Sequence, residues 1–181
     1  MTDSQIYTLP TPVSDADHMR GNPNAELTIV KYGDFDCYDC SRSHALMRKT
    51  EQKLGPRVRF VFRHFPLIHV HPNSLLAAEA SEAAAAQGKF WEMYDRLYSN
   101  PGKLEEKHLV HHAKKIGLDI ARFEKEMGDR LYSDPVQQHY QKSLLAGITG
   151  TPTFYINGVR FAGTSDPDRV IKYIQSLHPD A

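Results

Sequence analysis

The two cysteines of this chain, Cys37 and Cys40, stand with two residues between them at the junction of two regular segments. Residues 27–32 are rich in β-branched and aromatic side chains, which predicts a strand, and residues 41–54 have the apolar spacing of a helix. Cysteines at positions i and i+3 of a first helical turn can close a disulfide with little backbone movement. The pair therefore predicts a redox-active dithiol and restricts the chain to folds in which a strand leads into a helix N-terminus.

The position of each cysteine on the helix predicts its role. A sulfur at a helix N-terminus faces unpaired backbone N–H groups and the positive end of the helix dipole, and both favour the thiolate. Cys37 lies at the mouth of the helix and is the predicted nucleophile. Cys40, one turn deeper, is the predicted resolving thiol, which attacks the mixed disulfide.

Other interpretations of the cysteine pair stay open from the residues alone. A non-catalytic peptide-binding or metal-binding module could use Cys37, Cys40 and His44, since His44 follows the cysteines on the same helical face. A structural zinc site usually has four ligands, however, and the chain has no second cysteine pair. The two thiols could also be inert or joined in a structural disulfide.

Composition and charge exclude several classes of partner. Lys plus Arg and Asp plus Glu each number 22, so the net charge is zero and nucleic acid is not an expected partner. No apolar run approaches the roughly 20 residues that span a bilayer, so no membrane span is expected. Residues 1–5 lack the basic and apolar regions of a secretion signal, which leads us to expect a cytoplasmic protein. The sequence does not indicate an oligomeric state.

The order of predicted elements divides the chain into three parts. Residues 1–26 are polar, contain several prolines and predict an N-terminal arm or loop. Residues 57–64 alternate basic and apolar side chains and predict a second strand, parallel to the first in a right-handed βαβ unit. Residues 27–72 and 147–181 would form one α/β domain, and residues 73–146, which are helical throughout, a subdomain inserted into it.

Helix stops and turn residues divide the remaining segments. Predicted helices cover residues 75–87, 90–98, 104–116, 119–128 and a segment that begins at Asp134-Pro135 with the proline in first position. Asn157-Gly158 separates two short apolar runs, 153–156 and 159–161, and predicts a β-hairpin. A last helix begins at Asp166-Pro167, with Val170, Ile174 and Leu177 on its apolar face.

This order of elements over residues 27–177 resembles the thioredoxin superfamily, and within it the DsbA-like thiol-disulfide oxidoreductases, which carry a helical insertion at this point. Four segments look like that family in detail: Tyr32 to Cys37, Arg63 to Leu67, Phe90 to Met93, and Gly150 to Phe154. The resemblance implies a thioredoxin-like α/β fold with an inserted helical subdomain. It also implies thiol-disulfide exchange with protein or small-thiol substrates and a redox partner, with the dithiol as redox centre and no bound cofactor or metal.

Thr151-Pro152 matches the family's loop in which the proline is cis and lies against the active-site sulfurs. The resemblance implies that Thr151 and Pro152 orient an extended substrate peptide. Two rivals concern the same fold. One is another reaction type, as in glutathione-transferase relatives, which use a hydroxyl at the active position. The other is a domain that serves one dedicated partner, as in similar domains fused to transporters.

Several residues near the cysteines depart from the family pattern and are candidates for tuning the redox chemistry. Relatives usually have an acidic residue at the position of Lys31, whose ammonium either approaches the sulfurs and favours thiolate or extends to solvent. We do not expect a lysine to replace a carboxylate as acceptor of the resolving thiol's proton. His44 either tunes the pair or fills space.

The residues between the cysteines, Tyr38 and Asp39, affect the expected redox poise. The charge of Asp39 disfavours a second anion on sulfur, whereas Lys31 and Arg42 favour it. We expect a poise typical of a reductase or isomerase. The remaining clustered histidines are expected to be ordinary surface residues; they are His69, His71, His108, His111 and His112.

Overall fold

A computed structural model describes residues 7–161 and 167–177. The described part has five strands, which are β1 (His18–Gly21), β2 (Leu27–Gly33), β3 (Val58–His64), β4 (Thr153–Ile156) and β5 (Val159–Arg160). Its seven helices are α1 (Tyr38–Leu54), α2 (Ser74–Ala85), α3 (Phe90–Tyr98), α4 (Glu106–Lys115), α5 (Ile120–Gly128), α6 (Ser133–Leu145) and α7 (Pro167–Leu177). The fold is thioredoxin-like, a mixed α/β fold in which helices α2 to α6 follow β3 and precede β4.

The sheet has the strand order β1-β3-β2-β4-β5. The pairing of its central strands brings the loop before β4 next to the start of α1. Strands β2 and β3 are parallel and joined through α1, as the sequence predicts. Strand β4 is antiparallel to β2, with Thr153 opposite Tyr32. The start of β4 therefore lies beside the end of β2, where the chain turns into α1. This pairing brings residues 151–152 to the helix mouth that carries Cys37.

The N-terminal segment contains a strand that the sequence analysis did not predict. Strand β1 pairs antiparallel with β3, with His18 opposite Phe62, and so adds an edge to the sheet. Near the opposite edge, Thr8 forms an isolated bridge with Val159. The four residues of β1 have no alternating apolar pattern, because the strand is held by tertiary contacts instead of by a buried face of its own.

Arg63 provides the main contact that holds this segment. Its buried guanidinium donates to both carboxylate oxygens of Asp17, at 2.7 and 2.9 Å. It also donates to the carbonyl oxygens of Thr11 and Pro12 and to the hydroxyl of Tyr32. Burial acts to raise the pKa of Asp17, but the hydrogen bond from Arg63 lowers it below the ordinary value. The ion pair thus ties the N-terminal segment to the centre of the sheet.

The helices pack as the apolar spacing predicts, with small shifts at their ends. The predicted face of α3 is buried, namely Phe90, Met93, Tyr94, Leu97 and Tyr98. Helix α4 begins at Glu106, and Leu104, its predicted first residue, is buried in the preceding loop. Helix α6 begins at Ser133, so Pro135 is its third residue and not its first. Proline is tolerated there because first-turn N–H groups lack helical partners.

The C-terminal helix differs from the prediction at its end. Val170 and Ile174 are buried as expected, but Leu177 is 42% exposed. The predicted start at Asp166 lies outside the described residues. Strand β5 ends at Arg160, one residue before the predicted end. No described helix is both long enough and apolar enough to cross a membrane.

The ion pair of Arg63 predicts a specific stability loss. Asp17→Asn leaves the buried guanidinium without its counter-charge, so the free energy of unfolding should fall by about 3 kcal/mol. Because the pKa of Asp17 is lowered by folding, this contribution is present above its unfolded pKa and is lost as pH falls through the folded pKa. Denaturant unfolding at pH 7 measures the loss. The exposed Asp15→Asn is the matched control, and an equal effect in both variants would contradict the assignment.

Candidate active site

The two cysteines occupy the predicted positions at the start of α1. Cys37 is the N-cap residue, with extended backbone dihedrals, and its carbonyl oxygen accepts from the Ser41 N–H at 3.1 Å. Cys40 lies in the first helical turn and is completely buried, whereas Cys37 keeps 7% of its surface exposed. Both are free thiols. The geometry leaves Cys37 as the sulfur within reach of a substrate and Cys40 beneath it.

The two thiols have opposite shifts in pKa. The hydrogen bond with the Cys40 thiol is the largest influence on Cys37 and, with a further contribution from Thr151, lowers the pKa of Cys37 to about 6 against the opposing effect of burial. Burial and the hydrogen bond with Cys37 raise the pKa of Cys40 well above its ordinary value. At neutral pH the site therefore holds a thiolate at Cys37 and a protonated thiol at Cys40.

Lys31 lies beneath the thiols and is completely buried. Its ammonium donates to the carbonyl oxygen of Cys40 at 3.1 Å and stands 4.2 Å from the centre of the Tyr98 ring. Burial lowers the pKa of Lys31 to about 8, although the charges of Cys40 and Cys37 oppose that shift. Of the two predicted orientations, the structure shows the approach to the cysteines and not the extension to solvent.

Gly33 makes room for this buried lysine. A Cβ atom at Gly33 would lie 2.8 Å from the Tyr98 hydroxyl, 2.6 Å from a Phe62 ring carbon and 3.2 Å from Cε of Lys31. Contacts this short would displace the rings or the lysine stem. Because Gly33 has no side chain, the Phe62 and Tyr98 rings can pack close to the Lys31 side chain.

Asp34 and His71 hold the loop after β3 against the helix mouth. The carboxylate of Asp34 is buried and accepts from the His71 ring at 2.7 Å and from the Leu67 N–H at 2.9 Å. Burial raises the pKa of Asp34, while the hydrogen bond from His71 limits the rise. The prediction that His71 is an ordinary surface residue is wrong, because this contact fixes it to a buried carboxylate.

The loop before β4 completes the site. The carbonyl oxygen of Thr151 lies 3.6 Å from Sγ of Cys37, and the peptide bond between Thr151 and Pro152 is cis. The structure thus brings together Cys37, Cys40, Lys31, Thr151 and Pro152. Lys31 comes from β2, the cysteines from the start of α1, and Thr151 and Pro152 from the loop before β4.

The residues between the cysteines face outward. Tyr38 is 74% exposed, and Asp39 is half-buried. The carboxylate of Asp39 lies 3.6 Å from the Arg42 guanidinium, so these two charges largely offset each other in water. Neither Asp39 nor Arg42 is among the main influences on the pKa of Cys37.

His44 does not join the cysteines in a metal-binding set. Its Nε2 bonds to Oδ1 of Asp95 at 2.8 Å, and its ring stacks on Tyr98. Within the described ranges, the set of donor atoms that could share one ion consists of other residues. The alternative metal site of Cys37, Cys40 and His44 is therefore wrong for this fold, because the imidazole turns toward α3.

The structure also gives the surroundings of His112 and Trp91. His112 is 1% exposed and bonds to the carbonyl oxygen of Lys103 at 3.0 Å, so it is not part of a solvated face. Trp91 packs on the core and donates to the carbonyl oxygen of Met19 at 2.9 Å. Tyr98, whose ring face contacts the Lys31 ammonium, was not predicted as a site residue, because its helical spacing indicates only a core position.

Comparison with known proteins places the chain in a family. A sequence model of a family described as Thioredoxin matches residues 13–176. The chain belongs to the thioredoxin family. Its fold is that of DsbA-like members. A thioredoxin-like oxidoreductase from Silicibacter pomeroyi shares 25% identity at a TM-score of 0.75, covering 93% of this chain and 95% of that chain.

Two other solved structures share the thioredoxin-family fold at lower identity. α-DsbA1 from Wolbachia pipientis has a TM-score of 0.75 at 23% identity, covering 92% of this chain and 93% of that chain. BdbD from Bacillus subtilis has a TM-score of 0.73 at 23% identity, covering 87% and 90%.

The curated relatives of this thioredoxin-family chain are larger proteins. A Na(+)/H(+) antiporter NhaA 3 from Salinispora tropica is 40% identical over 97% of this chain and 27% of its own length. A Na(+)/H(+) antiporter NhaA 1 from Salinispora arenicola is 39% identical over 88% of this chain and 24% of its own length. The chain therefore spans about a quarter of the length of these relatives.

The pKa of Cys37 predicts its alkylation behaviour. The rate of Cys37 modification by iodoacetamide should rise with pH and reach half its maximum near pH 6, because the thiolate is the reacting form. Cys40→Ala removes the hydrogen bond that lowers this pKa most, so the midpoint should move upward in that variant. Stopped-flow alkylation over pH 4–10, with Cys37 modification confirmed by mass spectrometry, provides the measurement. A midpoint near 8.5, the pKa of an ordinary cysteine, would contradict the lowered pKa of Cys37.

Proposed function

We propose that this protein is a thiol-disulfide oxidoreductase that exchanges disulfides with protein or peptide thiols through Cys37 and Cys40. The observation that carries the proposal is the polarised pair itself: an accessible sulfur with a lowered pKa lies above a buried thiol with a raised pKa. Two inert buried thiols would not be expected to have pKa values shifted in opposite directions. The family membership and the fold support the same reaction class.

The reducing direction proceeds in two exchanges. The Cys37 thiolate attacks one sulfur of a substrate disulfide, which forms a mixed disulfide and releases the other substrate sulfur as a thiolate. Cys40 then loses its proton and attacks Sγ of Cys37. This second exchange closes the Cys37–Cys40 disulfide and releases the second substrate thiolate. The substrate gains two electrons, and a separate redox partner restores the dithiol.

The buried thiol needs a proton acceptor before the second exchange. Lys31 is the candidate, because its ammonium contacts the Cys40 backbone and burial lowers its pKa to about 8. A lysine with this pKa is partly neutral at neutral pH and can take up a proton, unlike an ordinary lysine. This proposal departs from our expectation that a lysine would not replace a carboxylate as acceptor of the resolving thiol's proton.

Thr151 and Pro152 would position the substrate next to Cys37. The carbonyl oxygen of Thr151 lies 3.6 Å from Sγ of Cys37. Thr151 shortly precedes Thr153, the first residue of β4, which is already paired with β2. An extended peptide that lies along this loop would bring its own sulfur toward Cys37.

We also propose that the protein acts in the cytoplasm, which cell fractionation can test.

Single-cysteine variants test the reaction class. Cys37→Ala should abolish exchange with a fluorescent disulfide peptide, since no accessible thiolate remains. Cys40→Ala should still form the mixed disulfide at Cys37 but should not resolve it, so the adduct should accumulate and be visible by non-reducing mass spectrometry. The same variant identifies partners in cells, including a dedicated transporter partner if one exists. Adducts at Cys40, or no adduct in the Cys40→Ala protein, would contradict the proposed roles.

Substitution of Lys31 separates its proton-accepting role from its charge. Lys31→Met should slow resolution of the mixed disulfide by about tenfold or more at pH 7.5, because general-base assistance is lost. Lys31→Arg keeps a cation but has no proton to exchange near neutral pH, so it should also resolve slowly. Single-turnover release of the second peptide measures the step, and Cys37 alkylation in each variant is the control. Normal resolution in Lys31→Arg would indicate a purely electrostatic role.

A further inference from the structure

Three donor side chains outside the dithiol site converge on one point. His18 on β1 and His64 at the end of β3 each place Nε2 2.7 Å from the same carboxylate oxygen, Oε1 of Glu82 on α2. The three donor atoms all lie within 4.8 Å of one another. We propose that His18, His64 and Glu82 bind a divalent transition-metal ion of the Zn²⁺ class.

The donor set matches that chemistry. Two neutral imidazoles and one carboxylate form a common ligand set for zinc and for other first-row divalent ions. Zinc lies about 2.0–2.2 Å from such ligands, so two donors around one tetrahedral ion are about 3.3–3.6 Å apart. The present separations of 2.7 Å need to open by less than about 1 Å to reach that geometry. The side chains of His18 and Glu82 are 24% and 23% exposed, which leaves them room to move.

Aromatic neighbours hold the two imidazole rings in place. The His18 ring stacks on Phe90 at a centroid distance of 3.5 Å, with planes 6° apart. The His64 ring stands edge-on to Phe62 at 5.2 Å. Rings that are already oriented lose little side-chain freedom when they bind an ion.

A cavity of about 190 Å³ opens onto the three donors and leads to solvent. His139 on α6 lines the same cavity and supplies a further imidazole there. Three protein donors with His139 or a water in the fourth position give a complete tetrahedral set.

The charges around the cavity are compatible with a bound cation. Arg63 also lines the cavity, but both oxygens of Asp17 pair with its guanidinium and neutralise it. With neutral histidines, Glu82 leaves the site a net charge of −1. In the absence of an ion, hydrogen bonds from the two imidazoles satisfy Glu82, and a bound ion would take their place.

The site was invisible in the sequence because its members are far apart. His18 and Glu82 are 64 positions apart and His64 and Glu82 are 18 apart, which matches no metal-binding spacing. A bound ion would link the edge strand β1, the end of β3 and helix α2. Since the His64 ring also lies 5.9 Å from that of Phe35, the ion would brace the segment that leads to Cys37.

Binding is tested in the Cys37→Ser/Cys40→Ser double variant, which removes the thiols as competing metal ligands and makes the result independent of the proposed redox function. Co²⁺ is titrated into chelator-treated protein. We expect one equivalent to bind with visible d–d absorption and no thiolate charge-transfer band. Glu82→Gln and His64→Gln should each weaken binding by at least about tenfold. The exposed Glu92→Gln and His111→Gln, the matched controls, should bind as before.

Histidine ring-proton spectra of the unsubstituted ligand set provide a second readout that does not depend on folding of the ligand variants. On addition of Zn²⁺, the signals of His18 and His64 should shift while that of His111 stays in place. The proposal is overturned if the folded double variant binds no ion, if Glu82→Gln and His64→Gln bind as tightly as the controls, or if only surface histidines respond.

Discussion

The candidate active site depends on the burial of the Lys31 ammonium beneath the two cysteine sulfurs. Removing an ammonium from water costs several kcal/mol even after the protein relaxes, so the charge needs compensating contacts. The structure supplies the carbonyl oxygen of Cys40 at 3.1 Å and the face of the Tyr98 ring at 4.2 Å. A desolvated cation–π contact contributes about 2 kcal/mol. The thiolate of Cys37 supplies the remaining attraction.

This arrangement couples the charge of the lysine to the redox state of the cysteines. In the dithiol form the negative charge on sulfur helps to keep Lys31 protonated. When the Cys37–Cys40 disulfide forms, that charge disappears while the burial of Lys31 remains, so the pKa of Lys31 should fall further. Under the proposed mechanism, oxidation would then favour release of the proton that the lysine would accept from Cys40. The same residue can thus serve both halves of the exchange cycle.

Local sequence signals were sufficient for the dithiol and for every described strand and helix except β1. The sequence predicted the dithiol and the parallel strands around its helix, because both depend on residues that are close together in the chain. The order of elements also brought out the family resemblance and, with it, Thr151-Pro152. Strand β1 was missed because its stability comes from contacts with β3 and from the Arg63 ion pair, which are distant in sequence.

The side-chain partners at the site could not be read from spacing. His44 follows the cysteines at helical spacing, yet its ring turns to Asp95, since a carboxylate on α3 is within reach. The orientation of Lys31 was undecided because Gly33 and Tyr98, which shape its pocket, become neighbours only after folding. The convergence of His18, His64 and Glu82 likewise exists only in the folded sheet.

The reduction potential of the Cys37–Cys40 couple tests the central claim most directly. A Cys37 pKa of about 6 lies between that of thioredoxin, about 7, and that of DsbA, about 3.5, and a more stable thiolate makes the disulfide more oxidising. Equilibration in glutathione buffers should therefore give a potential of about −240 to −180 mV, between the reductants and the strong oxidants. A potential near −120 mV or below about −270 mV, or the absence of a two-electron couple, would contradict the account.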